Sequence, residues 1–424
     1  MTTANKRVLS GMRPTGRLHI GHYFGALQNW VKLQSDPSYE CFYFVADWHA
    51  LTSDYADTSS ISQNVLEITI DFLASGIDPE KSVIFQQSQV TEHAELHLLL
   101  SMITPLGWLE RIPTYKEQLE NIQNKDLHTY GFLGYPTLQT ADIVMYSVPS
   151  KGLFVPVGED QVSHVEFSRE LVRSFNFHYG LLFDRDALLS PALLNKAQDL
   201  HHALFPTDPR PEIVTTDIAE KLIKAVRKLI TESGWKNVAE KLERFAGQHA
   251  LLSNFVKENE VLTEPGVLLT PTPRIPGLDG RKMSKSYGNA ITLSESDGDI
   301  RAKTKVMVTD PARKRRTDPG NPDICPVYDW HKLFSSKDTL DWAANGCRTA
   351  GIGCIECKSK MADGLIQWIA PVRERRLQYE QNPKKALEIL DAGSKTAEKS
   401  ARETMGRVRE AVFGWERKRK ELAT

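Results

Sequence analysis

One stretch near the start of the chain constrains the fold more than any other, because it joins an apolar run to a helical pattern through a tight turn. Residues 7–10 are typical of a buried β-strand. From His19 onward apolar residues recur at helical spacings, at Ile20, Phe24, Leu27 and Val31. His19 and His22 therefore share one face at a helix N-terminus, where unpaired N–H groups and a partial positive charge suit a polyphosphate. The alternative is an ordinary turn that carries two surface histidines.

Strand-like and helical stretches alternate over the first part of the chain. A helical pattern over residues 62–75 lies among runs typical of strands, which are residues 8–10, 41–45 and 83–86. This alternation predicts a parallel, doubly wound sheet of the α/β class. Ligands bind such sheets at the carboxyl ends of the strands. His49 follows the second strand and should face that crevice, as a structural residue or as a substrate contact.

A second polar site is predicted on the helical pattern between Gly134 and Tyr146. Gln139 and Asp142 are three residues apart in this pattern and share one face. A carboxylate beside an apolar stripe needs a partner, because burying it unpaired costs several kcal/mol. Asp142 is therefore a ligand contact or, alternatively, part of a salt bridge or a helix cap.

Two further stretches have the composition of ligand-binding loops. Residues 155–161 form a strand-like run that ends in an acidic loop, in which Gly158 permits close approach and Asp160 can accept hydrogen bonds from a ribose. Far along the chain, a glycine- and proline-rich approach leads to Lys282-Met283-Ser284-Lys285-Ser286. Glycines flank this loop on both sides, which predicts that it closes over its ligand.

His19-Ile20-Gly21-His22 and Lys282-Met283-Ser284-Lys285-Ser286 resemble, letter for letter, the two signature motifs of class I aminoacyl-tRNA synthetases. The Gly158-Glu159-Asp160-Gln161 stretch is similar to that of bacterial tryptophanyl-tRNA synthetases and differs from the tyrosyl enzymes. The likeness covers most of residues 6–185 and resumes at about residue 270.

The resemblance implies a particular division of the chain into domains. A Rossmann-like catalytic domain is expected over residues 1–190, with an inserted helical hairpin over 191–269. The lysine loop at 270–300 would complete the catalytic site, and residues 301–424 would form an all-α anticodon-binding domain.

The resemblance also implies a two-step reaction. L-tryptophan and ATP would give tryptophanyl-adenylate and pyrophosphate, and tryptophan would then pass to the 3′ end of tRNA(Trp). The catalytic residues implied are His19, His22, Lys282 and Lys285, with Mg²⁺ on the phosphates. The ATP-binding residues implied are Gly11, Met12, Arg13, Pro14, Gly21, His22, Gly158, Glu159, Asp160, Ile275, Lys282, Met283, Ser284, Lys285 and Ser286. The tryptophan-binding residues implied are Leu9, Gly11, His49, Tyr135, Gln139, Asp142 and Gln161.

Within the implied tryptophan pocket, the resemblance gives Asp142 a specific contact and leaves the role of Gln139 open. In the family pattern Asp142 accepts the indole N–H, which suits a ligand with one donor and no acceptor beyond its ring face. Gln139 stands where some family members have methionine. It either assists the substrate or holds Asp142.

Four cysteines fall within 33 residues, at Cys325, Cys347, Cys354 and Cys357. Four thiolates can bind a zinc ion or an iron–sulfur cluster, and the spacing alone does not separate these. A subset of bacterial tryptophanyl-tRNA synthetases carries a 4Fe–4S cluster on similarly spaced cysteines. The resemblance therefore favours that cluster over Zn²⁺ and over a site without metal.

Composition limits the remaining choices. The net charge of −1 argues against a uniformly basic nucleic-acid binder, although residues 313–316 and 417–420 form basic clusters. The sequence has neither a signal peptide pattern nor an apolar run of membrane-spanning length, so we expect a cytoplasmic protein. The family suggests a homodimer. The alternatives are a tyrosyl enzyme, a catalytically inactive binding protein derived from a synthetase, and another nucleotidyltransferase.

Overall fold

The computed structural model describes residues 6–121, 126–246, 251–269 and 275–423. The chain forms two compact units. The first comprises Met1–Ser168 and Pro265–Glu403, and the second comprises Arg169–Glu264 and Thr404–Thr424. The division into four parts at residues 190, 269 and 300 stays a prediction.

A five-stranded parallel sheet forms the centre of the first unit, as the alternating pattern predicted. Its order is β3-β2-β1-β4-β7, with the strands β1 Lys6–Met12, β2 Tyr39–Val45, β3 Ser82–Gln86, β4 Gly152–Val157 and β7 Pro265–Leu269. In the second unit, β5 Leu181–Phe183 pairs antiparallel with β6 Val256–Glu258. The strand order reverses at β1, which has β2 on one side and β4 on the other, and ligand crevices form at such points.

Helices surround the sheet and make up the C-terminal part of the chain. They are α1 Ile20–His22, α2 Gln28–Leu33, α3 Asp47–Asp54, α4 Ile61–Ala74, α5 Glu92–Ser101, α6 Leu106–Leu109, α7 Pro113–Asn121, α8 Tyr130–Leu133, α9 Tyr135–Val144, α10 Val162–Tyr179, α11 Arg185–Leu189, α12 Leu194–Leu204, α13 Thr216–Ser233, α14 Trp235–Ala246, α15 Asp297–Lys305, α16 Pro326–Phe334, α17 Lys337–Arg348, α18 Cys354–Gln381, α19 Pro383–Phe413 and α20 Trp415–Ala423. The predicted α/β class with a helical C-terminal region is thus confirmed. None of the described helices combines the length and apolar character that a membrane span requires.

The helix after the histidine turn, which is defined as residues 11–22, is irregular. A π-helical segment, Tyr23–Leu27, joins α1 to α2, and such segments are frequent at functional sites. Its inner face is buried, and Trp30 of α2 stacks on Tyr43 of β2 at 4.5 Å between ring centroids. The packing of this helix on the strands fixes where its N-terminus lies.

The long helix α19 covers the free edge of β3. The backbone N–H of Gln86 donates to Ser394 Oγ at 3.1 Å, so the helix satisfies a group that edge strands usually leave to water. Gly393 lies against the same strand, and a Cβ atom at this position would overlap the carbonyl oxygen of Ile84. The close approach of α19 therefore requires glycine at position 393.

Gly393→Ala should lower the stability of the protein by about 1–3 kcal/mol, because the new methyl group forces α19 away from β3. Gly406→Ala is the matched control on the same helix, since a Cβ there meets nothing within 4 Å. It should raise stability by about 0.5–1 kcal/mol through helix propensity. Urea unfolding followed by circular dichroism gives both values, and shifts of the same sign would contradict the packing described here.

Candidate active site

A cavity of about 420 Å³ opens at the carboxyl ends of the central strands. Ten of the predicted ligand contacts line it: Leu9, Gly11, Met12, Arg13, His49, Tyr135, Gln139, Asp142, Gly158 and Gln161. Much of the remaining wall is apolar, including Phe44, Phe132, Ile143 and Val155. The structure thus brings together four segments of the chain, which are residues 9–13, 49, 135–142 and 158–161.

Asp142 is the buried charge of this cavity, with 1% of its side chain exposed. His49 Nε2 lies 2.9 Å from its Oδ2, His93 Nδ1 lies 2.5 Å from its Oδ1, and Gln87 Nε2 lies 2.8 Å from both oxygens. Burial opposes ionisation, but hydrogen bonds from the two histidines outweigh it and lower the pKa of Asp142 to about 2. Asp142 is therefore an ionised acceptor at neutral pH.

His93 and Gln87 were not among the predicted site residues. Both are fully buried. His93 Nδ1 donates to the ionised carboxylate, and His93 Nε2 lies 2.8 Å from the Tyr146 hydroxyl. Gln87 directly follows β3, so the rule that placed His49 after β2 could have found it. For His93 the sequence gives no comparable signal.

Gln139 is paired with a residue other than Asp142. His164 Nδ1 lies 2.6 Å from Gln139 Oε1, and both residues line the cavity. None of the hydrogen bonds described for Asp142 comes from Gln139. Of the two roles that the sequence left open for Gln139, holding Asp142 is absent from the hydrogen bonds described, and contact with the substrate stays a prediction.

The two signature histidines lie in contact at the start of α1, with ring centroids 3.7 Å apart. The backbone N–H of His19 donates to His22 Nδ1 at 3.2 Å. Burial, together with the nearby Lys285, lowers the pKa of His19 to about 4, and burial lowers that of His22 well below its usual value. Both rings are therefore neutral at pH 7. His19 Nδ1 is buried without a hydrogen-bond partner among the described residues.

The lysine loop lies against the histidine turn. Lys285 Nζ donates to the carbonyl oxygens of Thr15 at 2.6 Å and Arg17 at 2.9 Å. Burial lowers the pKa of this ammonium group. Within the loop, the backbone N–H of Ser284 donates to Asn289 Oδ1 at 2.8 Å. The two signature motifs are thus neighbours.

The remaining predicted contacts lie outside the cavity wall. Met283 and Ile275 are buried, whereas Lys282 is exposed. Pro14 and Gly21 belong to the histidine turn, and Glu159 begins a 3-10 turn after β4. The side chains of Asp160 and Ser286 lie outside the described part of the structure.

The four clustered cysteines lie near the ends of three consecutive helices. Cys325 caps α16, Cys347 is in the last turn of α17, and Cys354 and Cys357 are in the first turn of α18. Burial, together with the sulfurs of the other three cysteines, raises the pKa of Cys357 to about 12. Among the described residues, no three or more His, Cys, Asp or Glu side chains are placed to hold one metal ion.

Comparisons with known proteins agree on a family. The model of class I tRNA synthetases for tryptophan (W) and tyrosine (Y) matches residues 1–255 and 246–369. The tryptophan–tRNA ligase of Ralstonia nicotianae is 49% identical over 96% of this chain and 98% of its own length. That of Thermotoga maritima is 41% identical, with the same coverage. The chain belongs to the tryptophanyl-tRNA synthetases.

Solved structures show the same fold. Tryptophanyl-tRNA synthetase from Campylobacter jejuni, crystallised with ADP and tryptophan, is 28% identical, with a TM-score of 0.69 over 96% of this chain and 99% of that one. A tyrosyl-tRNA synthetase from Archaeoglobus fulgidus, 17% identical with a TM-score of 0.51, shares the fold alone. Tryptophanyl and tyrosyl enzymes thus share this architecture, and the cavity must distinguish their substrates.

His93→Asn should lower the free energy of unfolding by about 1–3 kcal/mol, because Asp142 and Tyr146 both lose a buried partner. His97→Asn is the matched control one turn further along α5, since His97 bonds to the Thr137 backbone and makes none of the hydrogen bonds described for Asp142 and Tyr146. Its loss should be smaller. Chemical unfolding monitored by fluorescence measures both variants, and equal losses would argue that His93 does not support the carboxylate.

Proposed function

We propose that this chain is a tryptophan–tRNA ligase whose cavity binds L-tryptophan and ATP at the carboxyl ends of the sheet. The observation that carries the proposal is Asp142, an ionised acceptor among apolar walls in the cavity at the carboxyl ends of the strands. The relatives named tryptophan–tRNA ligases support this assignment. So does the Campylobacter jejuni enzyme, which was crystallised with tryptophan and ADP.

The polarity of the cavity fits an indole. Indole offers one N–H donor and no acceptor, whereas the phenol of tyrosine is both donor and acceptor. His93 and Gln87 hold Asp142 from its buried side, and neither lines the cavity. His49 shares the cavity face with Asp142, so the indole N–H approaches Oδ2 next to the His49 contact. A site built on this bond rejects analogues that lack the donor.

The chemistry then needs positioning and charge stabilisation rather than a side-chain nucleophile. A tryptophan carboxylate oxygen attacks the α-phosphorus of ATP, the bond to the bridging oxygen breaks, and pyrophosphate leaves. A hydroxyl of the tRNA 3′-terminal ribose then attacks the adenylate carbonyl, and AMP leaves. Mg²⁺ bound with ATP supplies charge neutralisation on the phosphates.

The signature residues take defined roles in the first step. His19 and His22 are neutral and act as hydrogen-bond donors to the phosphates, and the unpartnered His19 Nδ1 marks the position where a ligand atom is expected. Lys285 and Lys282 neutralise the charge that develops on the leaving pyrophosphate. Gly11, Met12, Arg13 and Gly158 form the part of the wall nearest the turn and contact the nucleotide.

The proposed partners are tRNA(Trp) and a second copy of this chain, in the cytoplasm. Lys314, Arg315 and Arg316 are exposed in the predicted anticodon-binding region, where they suit a phosphate backbone. Leu98, Met102 and Leu106 are each more than half exposed, and such apolar surface supports a dimer.

Amino-acid-dependent ATP–pyrophosphate exchange tests the function. Exchange with tryptophan and not with tyrosine is expected. Asp142→Ala should raise the KM for tryptophan at least about 10-fold and leave that for ATP nearly unchanged, since the pocket loses its acceptor. Lys285→Ala should instead lower the rate about 100-fold and preserve tryptophan binding. Exchange with tyrosine would refute the pocket assignment, and equal loss of both ligands in Asp142→Ala would make Asp142 purely structural.

We also propose a 4Fe–4S cluster on Cys325, Cys347, Cys354 and Cys357. The residue types fit, because four thiols that are buried or partly buried lie at the ends of three consecutive helices. The preference for the cluster over a single zinc ion rests on the spacing of the cysteines in the sequence and on the family resemblance. When bound, the cluster would supply a covalent staple among α16, α17 and α18.

Metal analysis of protein purified without oxygen tests the cluster. About four irons and four acid-labile sulfides per chain are expected. Cys357→Ser should lose them, whereas Cys41→Ser, in β2, should keep them. One zinc per chain, or no metal, would refute the cluster and support the corresponding alternative.

A further inference from the structure

A buried arginine of the C-terminal helices lies close to the histidine turn. Arg376 of α18 has 1% of its side chain exposed. Its guanidinium pairs with Asp71 and Glu67 of α4, and its Nε donates to Glu380 Oε1 at 3.0 Å. Replacing a buried ion pair by well-packed apolar residues often leaves stability unchanged or raises it. Stability alone therefore does not explain why an arginine occupies this position.

The carboxylates that Arg376 holds also bind the two residues before the first signature motif, one through its backbone and one through its side chain. Asp71 Oδ2 accepts the N–H of Leu18 at 2.6 Å, and Leu18 directly precedes His19. Glu67 Oε2 accepts Arg17 Nε at 3.0 Å. The network therefore binds both Arg17 and Leu18, the two residues directly before His19.

The same two residues connect to the second signature motif. The Arg17 carbonyl accepts Lys285 Nζ at 2.9 Å, and the Leu18 carbonyl accepts the N–H of Leu293 at 2.8 Å. A shift of residues 17 and 18 would thus move His19 and Lys285 together. Arg376 is thus connected to both motifs through Asp71 and Glu67 and through residues 17 and 18.

We propose that Arg376 is a positioning residue for adenylate formation: it orients Asp71 and Glu67, which fix residues 17 and 18 and thereby place His19, His22 and Lys285 on the ATP phosphates. This inference rests on the proposed function. The planar guanidinium binds two carboxylates at once with fixed geometry, which an ammonium group cannot reproduce. Arg376 touches no reacting atom, so its effect is on rate and not on tryptophan affinity.

The test compares Arg376→Met and Arg376→Lys with Arg373→Met. Arg373 lies one turn earlier on α18, and its Nη1 pairs with Asp297 at 2.5 Å and with the Glu295 carbonyl at 3.0 Å. The measurements are the single-turnover rate of tryptophanyl-adenylate formation, tryptophan affinity by fluorescence, and the thermal midpoint. Rates are measured well below the lowest midpoint.

Arg376→Met should lower the single-turnover rate about 10- to 100-fold, because misplacement by about 1 Å costs up to that factor. Tryptophan affinity should change less than about 3-fold, and Arg376→Lys should recover only part of the rate. Arg373→Met should retain the wild-type rate within about 3-fold. An Arg376→Met rate equal to that of Arg373→Met would overturn the inference, even if the midpoint falls.

Two further measurements distinguish a variant that does not fold from one that folds but does not position the motifs. If Arg376→Met does not fold, Glu67→Gln removes one arm of the network at a carboxylate that is 17% exposed, and an unchanged rate in that variant would overturn the inference. In a double-mutant cycle, Arg376→Met and Asp71→Asn should be non-additive in rate, since both act on Leu18. A wild-type protein that forms no tryptophanyl-adenylate would refute the proposed function instead.

Discussion

The catalytic arrangement depends on backbone pairing between two distant segments of the chain. The N–H of Ile20 donates to the Ile291 carbonyl, and the N–H of Leu293 donates to the Leu18 carbonyl. These bonds set the lysine loop beside the histidine turn, so that Lys285 reaches a carbonyl 270 residues earlier in the sequence. The candidate active site is therefore assembled only when this pairing is complete, whatever the side chains can do individually.

The cavity contains a buried carboxylate whose charge must be compensated. A buried carboxylate is costly unless donors surround it, and Asp142 has three donor residues within hydrogen-bond distance. Two of them approach from the buried side, which leaves the cavity face to His49 and a ligand. The groups that keep Asp142 ionised are thus also the groups that orient it, so in the proposed function they couple stability to specificity.

The parallel sheet was predictable because its strands are apolar runs separated by helical patterns, and helix α9 was predictable from the spacing of its apolar residues. The cavity wall followed from the rule that ligands meet at the carboxyl ends of strands. His93 was not predictable, because a histidine on a helix gives no sign of the distant carboxylate that it supports. Arg376 was not predictable either. Its helix contains many charged residues, and only the fold shows that this one is buried.

The cover that α19 provides for β3 has a consequence for synthesis of the chain. Ser394 lies 308 residues after Gln86, the strand residue that it binds. At about 5–20 residues per second, a ribosome needs roughly 15–60 s to make the intervening chain. During that time the β3 edge of the nascent sheet has no α19 to cover it, and an open edge can pair with another strand. The interval before release is thus the period when the β3 edge is most open to pairing with another strand.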